Sequence, residues 1–168
     1  LTGRAVDRDA LAELRRRRFY ERIEGTGPIA GVEEALAAAR ALGLKVGLAS
    51  SGSHEWVHGQ LTRLGLIERF DCIRTREDVR HAKPDPELYR AVVECLGVAP
   101  REAVAFEDSP NGALAARRAG LYCVVVPNSI TAGLEFGEHD LRLESLARTD
   151  LAELLARLVV DSAAADPV

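Results

Sequence analysis

The sequence predicts an α/β fold: a mostly parallel sheet with helices on both faces. Three observations carry that expectation. Short apolar runs alternate with segments of helical period, which is the pattern of parallel strands joined by crossover helices. The runs end in polar loops that open the next helix. A chain of 168 residues, 47% of them hydrophobic, suffices for one compact domain with a sizeable core.

In chain order, Leu11, Leu14, Phe19 and Ile23 recur at helical spacing from Asp7 onward, with Asp7 as a plausible N-cap. "GTGPIAG" (25–31) breaks this helix, and a second runs over 32–42 until Gly43. "KVGLAS" (45–50) reads as the first strand and 53–64 as a helix. "FDCIRT" (70–75) is the second strand, "PELYRAVVECL" (86–96) a helix and "AVAF" (103–106) the third strand. A helix over 111–119 leads into the fourth strand, "LYCVVVP" (121–127), and a helix over 149–160 closes the fold before a frayed tail, 161–168.

Composition narrows the function. With 22 basic and 26 acidic residues the formal charge is -4, which is no footprint for nucleic acid. The one basic block, Arg15 to Arg18, lies on a helix and is expected to face solvent. No apolar stretch approaches bilayer-spanning length and no signal-peptide pattern opens the chain, so neither membrane nor nucleic acid is an expected partner. Cys72, Cys95 and Cys123 are odd in number and embedded in apolar runs, which suggests reduced thiols and a cytoplasmic protein. The chain begins at Leu1 and contains no methionine, so a longer native amino terminus is expected.

Three loops carry chemistry. "ASSGS" (49–53) ends the first strand with hydroxyls and small residues, and Ser50 or Ser51 with the free N–H groups of a helix start can hold an anion. "HAKPDPELY" (81–89) sets Lys83 before a proline-stiffened turn that can hold its ammonium in place. "VAFEDSPNG" (104–112) delivers adjacent carboxylates, Glu107 and Asp108, which repel unless a cation or a lysine sits between them. Taken singly, each has a plain reading as cap, surface turn or solvated acid. Because all three follow successive strands they should meet at one sheet edge, and phosphoryl transfer needs such a set.

"GLASSGS", "KPDPELY" and "AFEDSPNG" resemble, in order and spacing, the second, third and fourth motifs of the haloacid dehalogenase superfamily, specifically the β-phosphoglucomutase-like phosphatases. The resemblance covers about 28–146. It implies a Rossmann-like three-layer α/β/α core at 28–160 and the remnant of a helical cap at 1–27. By position, Ser50 would bind the transferring phosphoryl group and Lys83 would steady it and the nucleophile. Asp108 would ligate Mg2+, with Glu107 beside it directly or through water, while Ser51, Gly52 and Asn111 would contact substrate or loop. The implied activity is magnesium-dependent hydrolysis of a small phosphomonoester through an aspartyl-phosphate, by a monomer or weak homodimer.

The family's first motif, an apolar strand ending in D-x-D, has no counterpart. Asp7 and Asp9 have the separation, but only Ala5 and Val6 precede them and a helical pattern follows. In the family that strand lies between those placed here at 45–50 and 103–106. Without it, strands spaced about 4.8 Å apart would leave a gap of roughly 10 Å. The nucleophile is therefore expected upstream, or another segment fills the slot. A chain without it would be a phosphate-binding or interaction module. Sugar-phosphate mutase chemistry is a further alternative.

"HEWVH" (54–58) also matches the zinc protease helix H-E-x-x-H. Where the longer protease pattern continues with glycine and a third histidine, this chain has Leu61 and Leu64. His54 and His58 instead flank the stripe of Val57, Leu61 and Leu64, as half-buried packing residues do.

Overall fold

The structure, a computed structural model, describes residues 7–164. Ala5, Val6, the side chain of Phe19 and residues 165–168 lie outside the described part. The described residues form six α-helices: α1 (Arg8–Ile23), α2 (Val32–Ala41), α3 (His54–Arg63), α4 (Glu87–Leu96), α5 (Pro110–Ala119) and α6 (Leu151–Ala164). The strands are β1 (Gly47–Ala49), β2 (Cys72–Arg74), β3 (Val104–Glu107), β4 (Tyr122–Val125) and β5 (Leu141–Arg142). The ten elements expected from periodicity are all there. β5, two residues long, is too short for a period to reveal, and α6 continues through Ala164 where a frayed tail was expected from 161.

All strand pairs are parallel, in two groups: β1 with β2, and β3 with β4 and β5. Alternation along the strands sorts the helices into two layers. Ala49 and Cys72 face α4, whereas Leu48 and Ile73 face α3. Ala105, Cys123 and Val125 face a cluster built from Tyr89 and Val93 of α4 and the alanines of α5. α2 and α6 pack together on the opposite side, over Val46 and Leu141. This is the expected three-layer α/β/α arrangement. Close approach of α4 depends on Gly47, since a Cβ there would lie 2.3 Å from Val92 Cγ1.

β1 and β3 do not pair with each other, and among the described residues no strand stands between them. β5 joins the far side of β4, so it does not fill the slot. Phe106 of β3, on the face away from α5, is left 36% exposed. Asp7 caps α1 by accepting from the N–H groups of Asp9 (3.1 Å) and Ala10 (3.0 Å), so Asp7 and Asp9 are helix-start residues and not a strand end. Leu11 on the same helix is 46% exposed, which leaves that apolar position without a core.

One compositional expectation is overturned. Cys72 and Cys95 form a disulfide, and only Cys123 is a free, buried thiol. The reason is tertiary: α4 lies directly on β2, which brings two cysteines 23 positions apart to a Cα–Cα distance of 6.3 Å, within bonding range. Sequence spacing alone does not reveal that contact. No helix among the described residues is long and apolar enough to cross a membrane.

Candidate active site

β3 ends by dividing its two carboxylates. Glu107, still in the strand, is buried, while Asp108, one residue later, is exposed. Glu107 Oε1 accepts from Lys83 Nζ and from the Tyr89 hydroxyl, and Ser109 Oγ donates to Oε2 at 3.3 Å. The Lys83 and Glu107 side chains are only 12% and 6% exposed, so this is a buried ion pair. Such pairs persist when further hydrogen bonds satisfy the remaining lone pairs, as Tyr89 and Ser109 do here. Lys83 Nζ also lies 3.4 Å from the Tyr89 hydroxyl and 4.6 Å from its ring centroid. Burial, and then the Glu107 charge, push the Tyr89 phenol well above its ordinary range, so it remains a donor. Burial likewise pushes the Cys123 thiol up to about 11.

The glycine of "SPNG" follows from this packing. A Cβ at Gly112 would fall 1.8 Å from Glu107 Oε2, so only glycine lets the first turn of α5 close over the carboxylate. Ser109 caps that helix by accepting from Gly112 N–H at 3.1 Å, with Pro110 at its first position.

The loop that carries Lys83 is clamped at its base. Glu87 Oε2 accepts from the N–H groups of Arg80 (2.8 Å) and His81 (3.0 Å), and its Oε1 lies 2.9 Å from His81 Nδ1. The His81 contact, followed by these backbone bonds, holds Glu87 down to about 2, and Glu87 in turn raises His81 above its ordinary 6.5. The Lys83–Pro84 peptide bond is cis.

Asp108 belongs to a different network. Asn128, beyond the end of β4, donates its Nδ2–H to Asp108 Oδ2 at 2.8 Å. Ser50, at the end of β1, accepts from Gly52 N–H at 3.1 Å while its own N–H bonds to Arg74 O at 2.9 Å. Ser53, not Ser50 or Ser51, is the cap of α3, accepting from Trp56 N–H at 3.2 Å. Ser50, Ser51, Gly52, Lys83, Glu107, Asp108 and Asn111 thus all lie at or beyond the C-terminal ends of parallel strands. Hydrogen bonds join Lys83 with Glu107 across the fold and Gly52 with Ser50 within one loop. Tyr89 and Asn128 were not singled out from sequence: Tyr89 reads as one more apolar position of α4, and Asn128 as a turn residue. A polar tip on an otherwise buried helix face is the one available signal for Tyr89.

The His54 and His58 rings stack with centroids 3.9 Å apart beside buried Val57 and Leu61. Among the described residues, no group of three or more His, Cys, Asp or Glu side chains is gathered as for a metal. A zinc centre built on "HEWVH" therefore has no third protein ligand there.

Compared with known proteins, residues 2–120 match the family described as haloacid dehalogenase-like hydrolase. The chain belongs to that family. It is 49% identical over 156 residues to YhcW of Bacillus subtilis (strain 168), provisionally named a phosphatase, covering 93% of this chain and 71% of that one. It is 36% identical over 135 residues to hexitol phosphatase B of Escherichia coli (strain K12), covering 79% of this chain and 61% of the relative. Among solved structures, CbbY from Rhodobacter sphaeroides in complex with phosphate aligns with a TM-score of 0.72 at 31% identity, over 86% of this chain and 67% of that one. A β-phosphoglucomutase from Clostridium difficile aligns with a TM-score of 0.76 at 22% identity, a likeness of fold. The expected superfamily and three-layer α/β fold are thus both met, and so is the hydrolase class.

Proposed function

We propose that this chain forms most of a magnesium-dependent phosphatase that hydrolyses a small phosphomonoester through an aspartyl-phosphate. The observation that carries this reading is the division of labour after β3. Glu107 is neutralised by Lys83 in the interior, while Asp108 stands exposed one residue later. An exposed carboxylate at a strand end is the hard oxygen donor that Mg2+ takes, with waters and phosphate oxygens completing its shell. Asp108 would hold the metal, whose contribution when bound is to offset negative charge on the phosphoryl oxygens. Glu107 would act through its own contacts, fixing Lys83 and the start of α5; a direct metal bond would need one of its oxygens to leave those partners.

The other residues supply binding and orientation. Ser50 would donate its hydroxyl to a phosphoryl oxygen, with N–H groups of 51–53 and the N-terminus of α3 adding positive potential. The Lys83 ammonium, anchored on Glu107 and Tyr89, would present a charge whose position costs little to organise during the reaction. Ser51, Gly52 and Asn111 are proposed as secondary contacts. The nucleophilic aspartate would ride on a strand in the slot between β1 and β3, flanked by the loops that carry Ser50 and Asp108. The relatives named phosphatases support a phosphorylated metabolite as substrate.

A cytoplasmic location and a monomer or weak homodimer complete the proposal. Location rests on substrate class alone, because the Cys72–Cys95 disulfide removes the argument from reduced thiols. The test is an assay of the complete protein against a panel of phosphomonoesters with magnesium and with chelator. Magnesium-dependent release of inorganic phosphate is expected. Transfer to a second position of a sugar phosphate without release would favour a mutase, and no turnover with any ester would favour a binding module.

A further inference from the structure

The Asp108 carboxylate is aimed by a turn beyond β4 that the reading so far leaves idle. Asn128 Oδ1 accepts from the N–H groups of Ile130 (2.8 Å) and Thr131 (3.1 Å). Its own N–H bonds to Thr131 Oγ1 at 3.1 Å, and its carbonyl accepts from Thr131 (3.1 Å) and Ala132 (2.8 Å). Every acceptor of Asn128 is thus committed to the turn. This settles the orientation of the carboxamide, because the atom that meets two N–H groups must be the oxygen. Nδ2 is thereby turned away from the loop and onto Asp108 Oδ2 at 2.8 Å. A neutral donor held on one carboxylate oxygen fixes the rotation of the group without cancelling its charge.

We propose that Asn128 is a positioning residue: the 128–132 turn holds its Nδ2–H on Asp108 Oδ2 so that the other oxygen of Asp108 is presented to Mg2+. The inference rests on the reading of Asp108 as a metal ligand. Groups that orient a ligating carboxylate typically govern metal affinity by about 10- to 100-fold. The turn needs the acceptor oxygen of Asn128, and the metal needs its donor, so the two roles are separable. Serine at 128 keeps a side-chain oxygen near the N–H groups of 130 and 131, as in a hydroxyl-capped turn, but is too short to reach Asp108.

The test uses the complete protein and titrates magnesium chloride by calorimetry into wild type, Asn128→Ser, Ile130→Ala and Asp108→Ala, with unfolding midpoints recorded for each. Ile130 is 86% exposed in the same turn and makes its bond to Asn128 through the backbone, so its truncation controls for disturbance of the loop. Asn128→Ser is expected to weaken magnesium binding at least about tenfold. Its kcat should return toward wild type as magnesium is raised to saturation, which a purely structural defect would not do. Ile130→Ala should bind as wild type. Magnesium affinity of Asn128→Ser within twofold of wild type, with Asp108→Ala defective, would overturn the role of Asn128 alone. Loss of kcat that magnesium does not restore would overturn it as well. Wild-type affinity in Asp108→Ala would overturn the metal reading itself, and the inference with it.

Discussion

The two strand groups differ in how they are held. β4 is the most enclosed of the described strands: Cys123, Val124 and Val125 have no exposed surface, and β3 and β5 flank it on both edges. Among the described residues β1 and β2 pair only with each other, and every residue of β1 remains partly exposed. The first group is the more enclosed sheet, and the second is joined to it by α4 on one face and by α2 with α6 on the other. α4 lies on β1 and β2, packs against α5, and contributes Cys95 to the bond with β2. The candidate site straddles the division, with Ser50 on the weakly held group and Glu107 and Asp108 on the enclosed one. Lys83 crosses it, reaching from the loop after β2 to the end of β3. A site assembled from two units in this way depends on whatever holds them in register.

The largest expected effect therefore comes from cutting the Lys83 link. Lys83→Ala leaves Glu107 buried without its partner and should cost about 3–5 kcal/mol, read as a lowered denaturation midpoint. An effect below 1 kcal/mol would mean that the ion pair does not couple the groups. Next comes the disulfide: for a loop closed across 23 positions, reduction should remove about 3 kcal/mol. Hydrogen exchange should show the loss first in β2 and α4, with β4 protected longest. In Gly47→Ala, the new methyl would meet Val92 Cγ1 at 2.3 Å, and a cost of about 1–3 kcal/mol is expected, again localised to β1 and α4.

The smallest effect is the clamp at the base of the Lys83 loop. Because His81 is raised, the charge pair with Glu87 is complete below about 6.5 and is lost as the pH climbs through the higher native value. Glu87 is held down to about 2, so its share is present above its ordinary 4.5 and fades as the pH falls from there toward 2. An NMR titration should place His81 above 6.5 in the wild type and nearer 6.5 in Glu87→Gln. Identical midpoints in the two proteins would remove the clamp from the account.

What the sequence reveals follows the range of each interaction. Helices and strands of three residues or more have periods and boundary residues that are local, and Asp7 and Gly43 mark ends that the structure retains. The motif residues are legible because each follows an apolar run at a strand end. Contacts across the fold are mostly not legible: a lysine meeting the carboxylates after β3 is the expected one, and Lys83 does meet Glu107. The Cys72–Cys95 bond needs α4 laid on β2, the Tyr89 hydroxyl needs the end of β3 beneath α4, and Asn128 needs the exits of β3 and β4 side by side. The answer to the paired carboxylates is likewise tertiary. Lys83 neutralises Glu107 alone, and burial of one acid with exposure of the other separates their roles.

The central claim is that Asp108, exposed beside the buried Lys83–Glu107 pair, makes this a magnesium-dependent phosphatase. Its most direct test is turnover of a phosphomonoester by the complete protein with Asp108→Ala, at saturating substrate and magnesium, with the fold checked by circular dichroism. The account predicts a folded protein whose magnesium-dependent turnover falls by about a hundred- to a thousandfold, the scale for a group that stabilises transition-state charge. Undiminished turnover in a folded Asp108→Ala protein would contradict it.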